Sequence, residues 1–108
     1  MGKKIKSKYG AKKVVVDDIK FDSGMEAEYY KHLKQMKERN EIKEFELQPV
    51  YVLIEAFIFN DKKIQPIKYK GDFLVTYLDD SQEIIDVKGK ETVDFKLKKK
   101  LFQYKFRF

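Results

Sequence analysis

The chain has 108 residues, which fits one small domain, and it contains no cysteine. This excludes disulfides, thiolate metal sites and a cysteine nucleophile, and it is consistent with a reducing cytosol. No apolar run approaches the roughly 18 residues that a membrane span needs. The lysine-rich start is not followed by the apolar core of a signal peptide. We therefore expect a cytoplasmic protein with no membrane association.

Positive charge is concentrated at the two ends of the chain. Residues 1–13 hold six lysines, residues 96–108 hold five lysines and one arginine, and neither segment has an acid. All 18 acids lie in residues 14–95. Basic ends indicate a polyanionic partner such as nucleic acid, while the acids between them are either solvated or part of a metal site. Residues 1–13 are expected to form a flexible tail ahead of a single domain over residues 14–108.

The first half of the domain predicts a short β element, a helix and several strands. The β-branched stretch at residues 14–21 is expected to form a small hairpin or an extended arm. Residues 42–59 are rich in strand formers with a break at Pro49, and residues 60–63 predict a turn. A helix is predicted between the stretch at 14–21 and the strands that start at residue 42. It starts with the capping-box spacing of Ser23 and Glu26 and stops near Asn40. Its predicted apolar stripe is Met25, Tyr29, Leu33 and Met36.

The second half predicts a hairpin, a helix and a last strand. The apolar runs at residues 72–78 and 83–88 flank a short turn and therefore predict a β-hairpin. Asp94 is a candidate cap for a helix that ends near Phe102. Alternating aromatic and basic residues at 104–108 predict a final strand.

Acidic residues are expected to converge at one end of the predicted hairpin. Asp86 and Lys88 are two positions apart on a strand and therefore point to the same face. Asp72 starts the partner strand, so the hairpin brings it close to Asp86. An exposed Asp-x-Lys pair means little by itself, and the upstream Asp72 is what makes this a candidate site.

Two carboxylates in this arrangement suit a hard divalent cation, Mg²⁺ or Mn²⁺, which prefers oxygen ligands. The carbonyl of Val87 would add a ligand, and Glu26 is the candidate fourth group. Glu28 lies roughly 200° around the helix from Glu26, so only one of the two faces the site. The metal would polarise a phosphodiester, and Lys88 would orient the attacking water or stabilise the transition state.

Three segments resemble the motifs of the PD-(D/E)XK nuclease superfamily, in a similarity that runs over residues 21–104. Within the superfamily the chain is most similar to small phage and prophage nucleases and to the phage endonuclease I type of Holliday-junction resolvase. The resemblance implies that Glu26, Asp72 and Asp86 serve the metal and that Lys88 is the catalytic lysine. The segments read Ser23-Gly24-Met25-Glu26, Gly71-Asp72-Phe73-Leu74 and Asp86-Val87-Lys88-Gly89.

The resemblance also implies a fold and an activity. The fold is of the α/β (α+β) class, a central mixed β-sheet flanked by helices with a restriction-endonuclease-like core. The activity is metal-dependent endonucleolytic hydrolysis of DNA, at branched DNA such as a four-way junction, by a phage or prophage protein in a bacterial host. Two symmetric cuts at a junction predict a homodimer. The chain departs from the motifs at Gly71, where the family has proline, and at Asp86, where it usually has glutamate.

The basic segments supply candidate DNA contacts. Lys96 and Lys100 share a helical face near Lys99 and are expected to contact phosphates. Lys12 and Lys13 belong to a tail that would follow the DNA backbone. Both sets are also consistent with a solvated surface. The single histidine, His32, is expected at the surface, which disfavours a histidine-based mechanism.

Two other functions remain compatible with the sequence. One is a nuclease of the same fold that serves nicking, repair or packaging. The other is a non-catalytic DNA-binding module or protein-interaction domain in which the Asp-x-Lys arises by chance. A test of metal binding at the acidic residues separates the non-catalytic module or domain from the nucleases.

Overall fold

The computed structural model of the chain describes residues 13–87 and 92–108. Lys12, Lys88 and Gly89 lie outside the described residues, as does nearly all of the predicted tail. The helices are α1 (Gly24–Glu38) and α2 (Val93–Phe106). The strands are β1 (Val14–Val16), β2 (Ile19–Phe21), β3 (Glu44–Leu47), β4 (Val50–Ile54), β5 (Phe57–Phe59), β6 (Lys62–Ile64), β7 (Ile67–Lys70), β8 (Phe73–Thr76) and β9 (Gln82–Ile85).

The strands β1 and β2 form the small hairpin that residues 14–21 predict. They pair antiparallel with Val14 opposite Phe21. The connecting residues Asp17 and Asp18 both have positive φ angles, 54° and 65°. Aspartate visits this left-handed region more readily than most residues because its short polar side chain bonds locally. The two aspartates therefore select a tight hairpin over an extended arm.

Helix α1 begins and ends where its sequence signals predict. The Ser23 hydroxyl accepts a hydrogen bond from Glu26 N at 3.2 Å, which satisfies one of the free N–H groups of the first turn. The helix ends at Glu38, and Asn40 follows with a φ of 61°. The N-cap at Ser23 and the stop are thus confirmed, while the Glu26 carboxylate accepts from Asp22 N and not from Ser23 N as a full capping box requires.

The buried side of α1 differs from the predicted stripe at its start. Met25 is 56% exposed, although Tyr29 and Met36 pack against the core as expected. The β1–β2 hairpin packs across the first turns of α1, with the Phe21 and Tyr30 rings 5.0 Å apart. This contact turns the helix so that its buried residues are Glu26, Ala27, Tyr30 and Leu33.

Residues 44–76 form one long antiparallel hairpin with a kink near its base. β3 pairs with β8 and β4 pairs with β7. Backbone hydrogen bonds from Gln48 to Asp72 (2.9 Å) and from Gly71 to Pro49 (3.1 Å) join these two ladders. β5 and β6 carry the hairpin on to a turn at Asn60-Asp61. The break predicted at Pro49 is confirmed, and the predicted turn at 60–63 is shorter because Lys62 and Lys63 belong to β6.

Strand β9 completes a three-stranded sheet in the order β3-β8-β9. It pairs antiparallel with β8, with Phe73 opposite Ile85, which confirms the predicted hairpin. All strand pairings within residues 13–87 and 92–108 are antiparallel, which differs from the mixed sheet that was expected. The strands follow one another through short turns, whereas parallel neighbours need a long crossover.

Helix α2 is longer than predicted and replaces the expected final strand. Thr92, not Asp94, is its N-cap, and the Thr92 hydroxyl accepts from Phe95 N at 3.0 Å. The helix continues to Phe106, so the strand predicted at 104–108 is wrong. The Phe102 and Phe106 rings, one turn apart, lie 5.3 Å from each other. Packing of these rings on the sheet outweighs the alternating pattern of the last five residues.

Two hydrophobic cores lie on opposite faces of the sheet. Ile85 packs into the core around α1 and its neighbour Ile84 into the core around α2. Since successive residues of a strand point to opposite faces, the helices flank the sheet on both sides. The structure is therefore α+β. Within the described ranges, no helix has the length and apolarity needed to cross a bilayer.

Candidate functional site

Asp72 lies at the kink of the long hairpin. It is only 4% exposed, and its Oδ2 accepts a hydrogen bond from Val87 N at 2.8 Å. Opposite it, in the break between β3 and β4, Gln48 has a φ of 48°. The kink interrupts regular pairing and leaves Asp72 bonded to the end of β9. The Asp72 carboxylate is thereby fixed beside the peptide that joins Asp86 to Val87, as the hairpin predicts.

Gly71 makes the close approach at this kink possible. A Cβ atom at position 71 would lie 2.7 Å from Ile84 Cγ2, closer than real Cβ contacts. It would also lie 3.7 Å from both Asp86 Oδ1 and Pro49 Cγ. The absence of a side chain therefore allows β9, with Asp86, to pack against the kink.

Glu26 approaches Asp72 from α1. It is 7% exposed, and its Oε1 accepts a hydrogen bond from Asp22 N at 3.1 Å. Glu26 and Asp72 line one small cavity of about 100 Å³, together with Lys20 and Gln48. Glu26 Oε1 therefore binds the backbone just before the helix, and the Glu26 side chain also lines the cavity.

Glu28 has a different environment from Glu26. It is exposed and forms an ion pair with Lys31 at 2.9 Å. The two glutamates lie on different sides of α1, as their spacing requires. Glu26 is therefore the one that lines the cavity with Asp72.

Asp86 lies between the sheet and α2. Its side chain is 4% exposed, and its Oδ2 accepts a hydrogen bond from the Tyr69 hydroxyl at 2.5 Å. Lys99 Nζ lies 3.7 Å from the same oxygen. The other oxygen, Oδ1, is buried and has no hydrogen-bond partner among the residues that the structure describes. A buried carboxylate oxygen without a donor is unusual, because its desolvation is not compensated.

The predicted metal ligands do not form one compact group. Glu26 and Asp72 share a cavity, whereas Asp86 bonds to Tyr69. Within residues 13–87 and 92–108, no three Asp, Glu, His or Cys side chains are placed to hold a metal ion together. Lys88, the predicted catalytic lysine, is outside the described ranges.

The candidate DNA-binding lysines have three different environments. Lys96 and Lys100 are exposed on α2. Lys99 turns toward Asp86 and lies 5.9 Å from the centre of the Phe95 ring. Lys13 forms an exposed ion pair with Asp22 at 3.0 Å. Lys96 and Lys100 are therefore open to an external phosphate, and Lys99 belongs to the surroundings of Asp86.

An open groove of about 630 Å³ lies beside α1, near the end of β9. Met25, Tyr29, His32 and Val87 line part of it. His32 is exposed, as predicted, and its ring lies 5.6 Å from that of Tyr29. Burial, followed by the negative charge of Glu83, raises the pKa of Tyr29. Tyr29 therefore stays protonated at neutral pH in this groove.

Sequence reasoning missed two residues of the site, Tyr69 and Gln48. Tyr69 lies between two lysines on β7, and its isolated aromatic ring in an alternating pattern is a signal of a buried face. Its bond to Asp86, 17 residues away, has no local signal. Gln48 precedes Pro49, and that proline indicates a break in the strand. The positive φ of Gln48 has no signal in the sequence.

Together the fold and the site define an α+β protein with buried carboxylates where a kinked hairpin meets two helices. The chain belongs to the family described as Protein of unknown function (DUF1064), which matches residues 6–108. No curated protein and no solved structure matches the chain.

Proposed function

We propose that the chain is a metal-dependent endonuclease that hydrolyses DNA phosphodiesters. The observation that supports this best is the meeting of Glu26 and Asp72 on one cavity, with Asp72 bonded to the strand end that carries Asp86. The three carboxylates come from the first turn of α1 and from the residues just before β8 and just after β9, and protein donors hold each of them. A divalent cation is the partner that suits oxygen ligands of this kind.

The chemistry of the donor atoms suits a hard cation such as Mg²⁺ or Mn²⁺. Asp72, Asp86 and Glu26 offer carboxylate oxygens, and the backbone at Val87 offers a carbonyl. Asp86 Oδ1 is buried and lacks a hydrogen bond in the described part of the chain, which leaves it able to bind a cation. When bound, the metal would supply Lewis-acid activation of the phosphodiester and of water.

The protein residues would position the carboxylates and hold the substrate. The Tyr69 hydroxyl and Lys99 fix Asp86, and Val87 N fixes Asp72. Lys88, two residues beyond Asp86, is the proposed group that orients water or stabilises the transition state. Exposed Lys96 and Lys100 would bind phosphates next to the cut through charge alone, without reading sequence.

The proposed substrate is branched DNA, a four-way junction in particular, in phage or prophage DNA metabolism. This part of the proposal is based on the resemblance to phage resolvases. It requires two copies related by a two-fold axis, because a junction is resolved by two symmetric cuts. Nicking, repair or packaging by the same chemistry is the alternative within the class.

A cleavage assay with Mg²⁺ or Mn²⁺ tests the proposal, on a four-way junction and on linear duplex of the same sequence. Asp86→Asn should abolish cutting of the junction and leave DNA binding nearly unchanged. Asp18→Asn is the matched control, since it removes one exposed charge at a turn position that asparagine tolerates. Undiminished cutting by Asp86→Asn would refute the assignment, and equal cutting of both substrates would refute the resolvase part.

A non-catalytic DNA-binding module is the second candidate. It is favoured by the lack of a compact three-residue metal group within residues 13–87 and 92–108. Calorimetric titration with Mn²⁺ separates the two candidates. The nuclease predicts heat of binding that Asp72→Asn and Glu26→Gln abolish and that Glu28→Gln leaves unchanged. The module predicts no heat for any of these proteins.

A further inference from the structure

The outer part of the long hairpin extends away from the cores. We call residues 50–70 the β-arm; it comprises β4, β5, β6 and β7. Its base is held to α2, where Leu53 and Tyr69 are buried against Phe102. Its outer hairpin, β5 and β6, has no buried residue, and in the part of the chain that the structure describes these two strands pair only with each other. A two-stranded hairpin by itself is marginally stable in water, so this part is available to a partner.

Apolar residues and lysines face each other across the β-arm. At the base, Val50 pairs with Lys70 and Val52 with Lys68. Near the tip, Ile58 pairs with Lys63 and Phe59 with Lys62. Since cross-strand partners lie on the same face, each lysine stands beside an apolar side chain and not beside an acid.

The positive charge of the β-arm is not neutralised within the described parts of the chain. It contains four lysines against two acids, Glu55 and Asp61. Lys62, Lys63, Lys68 and Lys70 have no ion pair with any residue of 13–87 or 92–108. The partner that suits a set of unneutralised lysines is a polyanion.

The tip adds apolar surface to this charge. Ile58 and Phe59 are 68% and 62% exposed, and Phe57 is also exposed. Apolar wedges on β-ribbons can pack against bases or sugars while neighbouring lysines bind phosphates. Two copies of this protein could also cover an apolar tip, but the unneutralised lysines of both copies would then meet with like charge, which opposes packing.

The position of the β-arm connects it with the candidate site. β7 leads directly into Gly71 and Asp72, so the arm starts at the site. The ten residue-to-residue steps from Asp61 to Gly71 span at most about 33 Å. That length is close to one turn of a DNA duplex, roughly 34 Å.

We propose that the β-arm binds the DNA duplex that flanks the candidate site, its lysines on phosphates and its apolar tip against bases or sugars about one helical turn away. This inference rests on the proposed function, because it takes DNA as the substrate. It predicts a contact that forms only when the duplex is long enough to reach the tip of the β-arm.

Binding is measured by fluorescence anisotropy without divalent metal, so that the readout does not depend on cleavage. The two probes are a duplex of roughly 30 base pairs and a hairpin-closed stem of roughly 8 base pairs, shorter than the reach of the arm. Lys62→Gln/Lys63→Gln is compared with Lys31→Gln/Lys37→Gln, which makes the same charge change on α1.

The arm variant should bind the long duplex about tenfold or more weakly, with a salt dependence less steep by about 1.8 in log–log slope. It should bind the short stem as the wild type does, and the control should match the wild type on both. Phe59→Ser should weaken binding to the long duplex alone.

Equal losses on long and short DNA, or no loss on either, would overturn the proposal. So would a change of oligomeric state in Ile58→Ser/Phe59→Ser with DNA binding unchanged, since the tip would then join two copies of this chain. Arm-dependent binding without any metal-dependent cutting would refute the proposed nuclease and leave the β-arm intact. Cutting with arm-independent binding would refute the β-arm alone.

Discussion

The Tyr69 hydroxyl donates a hydrogen bond of 2.5 Å to Asp86 Oδ2 in the interior between the sheet and α2. The Tyr69 ring also stacks on Phe102, with ring centres 4.9 Å apart. Tyr69 therefore joins the packing of the second core to the orientation of a candidate catalytic carboxylate. It acts as a positioning residue for Asp86.

Tyr69→Phe should leave the fold intact and weaken the site. The ring stays in place, and the loss of a hydrogen bond to a buried carboxylate should cost about 1–3 kcal/mol of stability. Loss of a partner that orients a metal ligand typically lowers metal affinity or activity roughly 10–100-fold. Mn²⁺ titration and urea unfolding measure the two effects.

Tyr51→Phe is the matched control for that change. Tyr51 packs its ring on Phe102 at 4.8 Å, in the same core. Burial and the nearby charge of Glu46 raise the pKa of Tyr51, so it is protonated at neutral pH like an ordinary tyrosine. Its change to phenylalanine should leave metal affinity as in the wild type. If both variants lost metal affinity equally, the special role of Tyr69 would be wrong.

Gly71→Ala should destabilise the protein through the kink. The added methyl group would lie 2.7 Å from Ile84 Cγ2, so the Ile84 side chain or the backbone must shift, at a cost of about 1–3 kcal/mol. Gly24→Ala, at the start of α1, is the control because its Cβ meets no atom within 4 Å in the described structure. Urea unfolding of both variants measures the difference.

A double mutant identifies the atom responsible for that cost. Ile84→Ala removes the Cγ2 contact, so Gly71→Ala should cost less in the Ile84→Ala background than in the wild type. Additive losses would show that the strain at position 71 has another origin.

The charge of Asp17 should make the stability of the fold depend on pH in the acid range. Hydrogen bonds from Lys34 (2.6 Å) and from the Tyr30 hydroxyl (2.9 Å) lower the pKa of Asp17 below its usual value of 3.8. A carboxyl group with a lowered folded-state pKa stabilises the fold above its unfolded-state pKa. That contribution is lost as the pH falls through the folded-state pKa.

Asp17→Asn tests this dependence, since asparagine tolerates the positive φ of the turn. The variant should be less stable than the wild type at neutral pH, and the gap should close as the pH falls below about 4. Thermal unfolding across pH measures the gap, with Asp18→Asn as the control for turn geometry. A gap that stayed constant down to strongly acid pH would contradict the role of the Asp17 charge.

Local signals in the sequence were sufficient for elements whose ends are fixed by a few neighbouring residues. The Ser23 N-cap of α1 and the hairpin of β8 and β9 each depend on contacts within a short stretch of chain. The final helix was missed because alternation at 104–108 fits a strand, while the helix is stabilised by Phe102 and Phe106 packing on distant strands. Propensity over five residues could not outweigh that contact.

The candidate site, like the fold, has some features that local sequence predicts and others that depend on tertiary packing. The sequence by itself determined which acids are candidates, since the spacing of Asp72 and Asp86 on a hairpin and Glu26 in a first turn follows from strand and helix periodicity. Only the tertiary structure decided that Glu26 rather than Glu28 is buried and that Tyr69 and Lys99 contact Asp86. It also decided that the hairpin kinks at Gly71 and continues as the β-arm. These features depend on residues far apart in the chain, which are brought together only by packing on the two faces of the sheet.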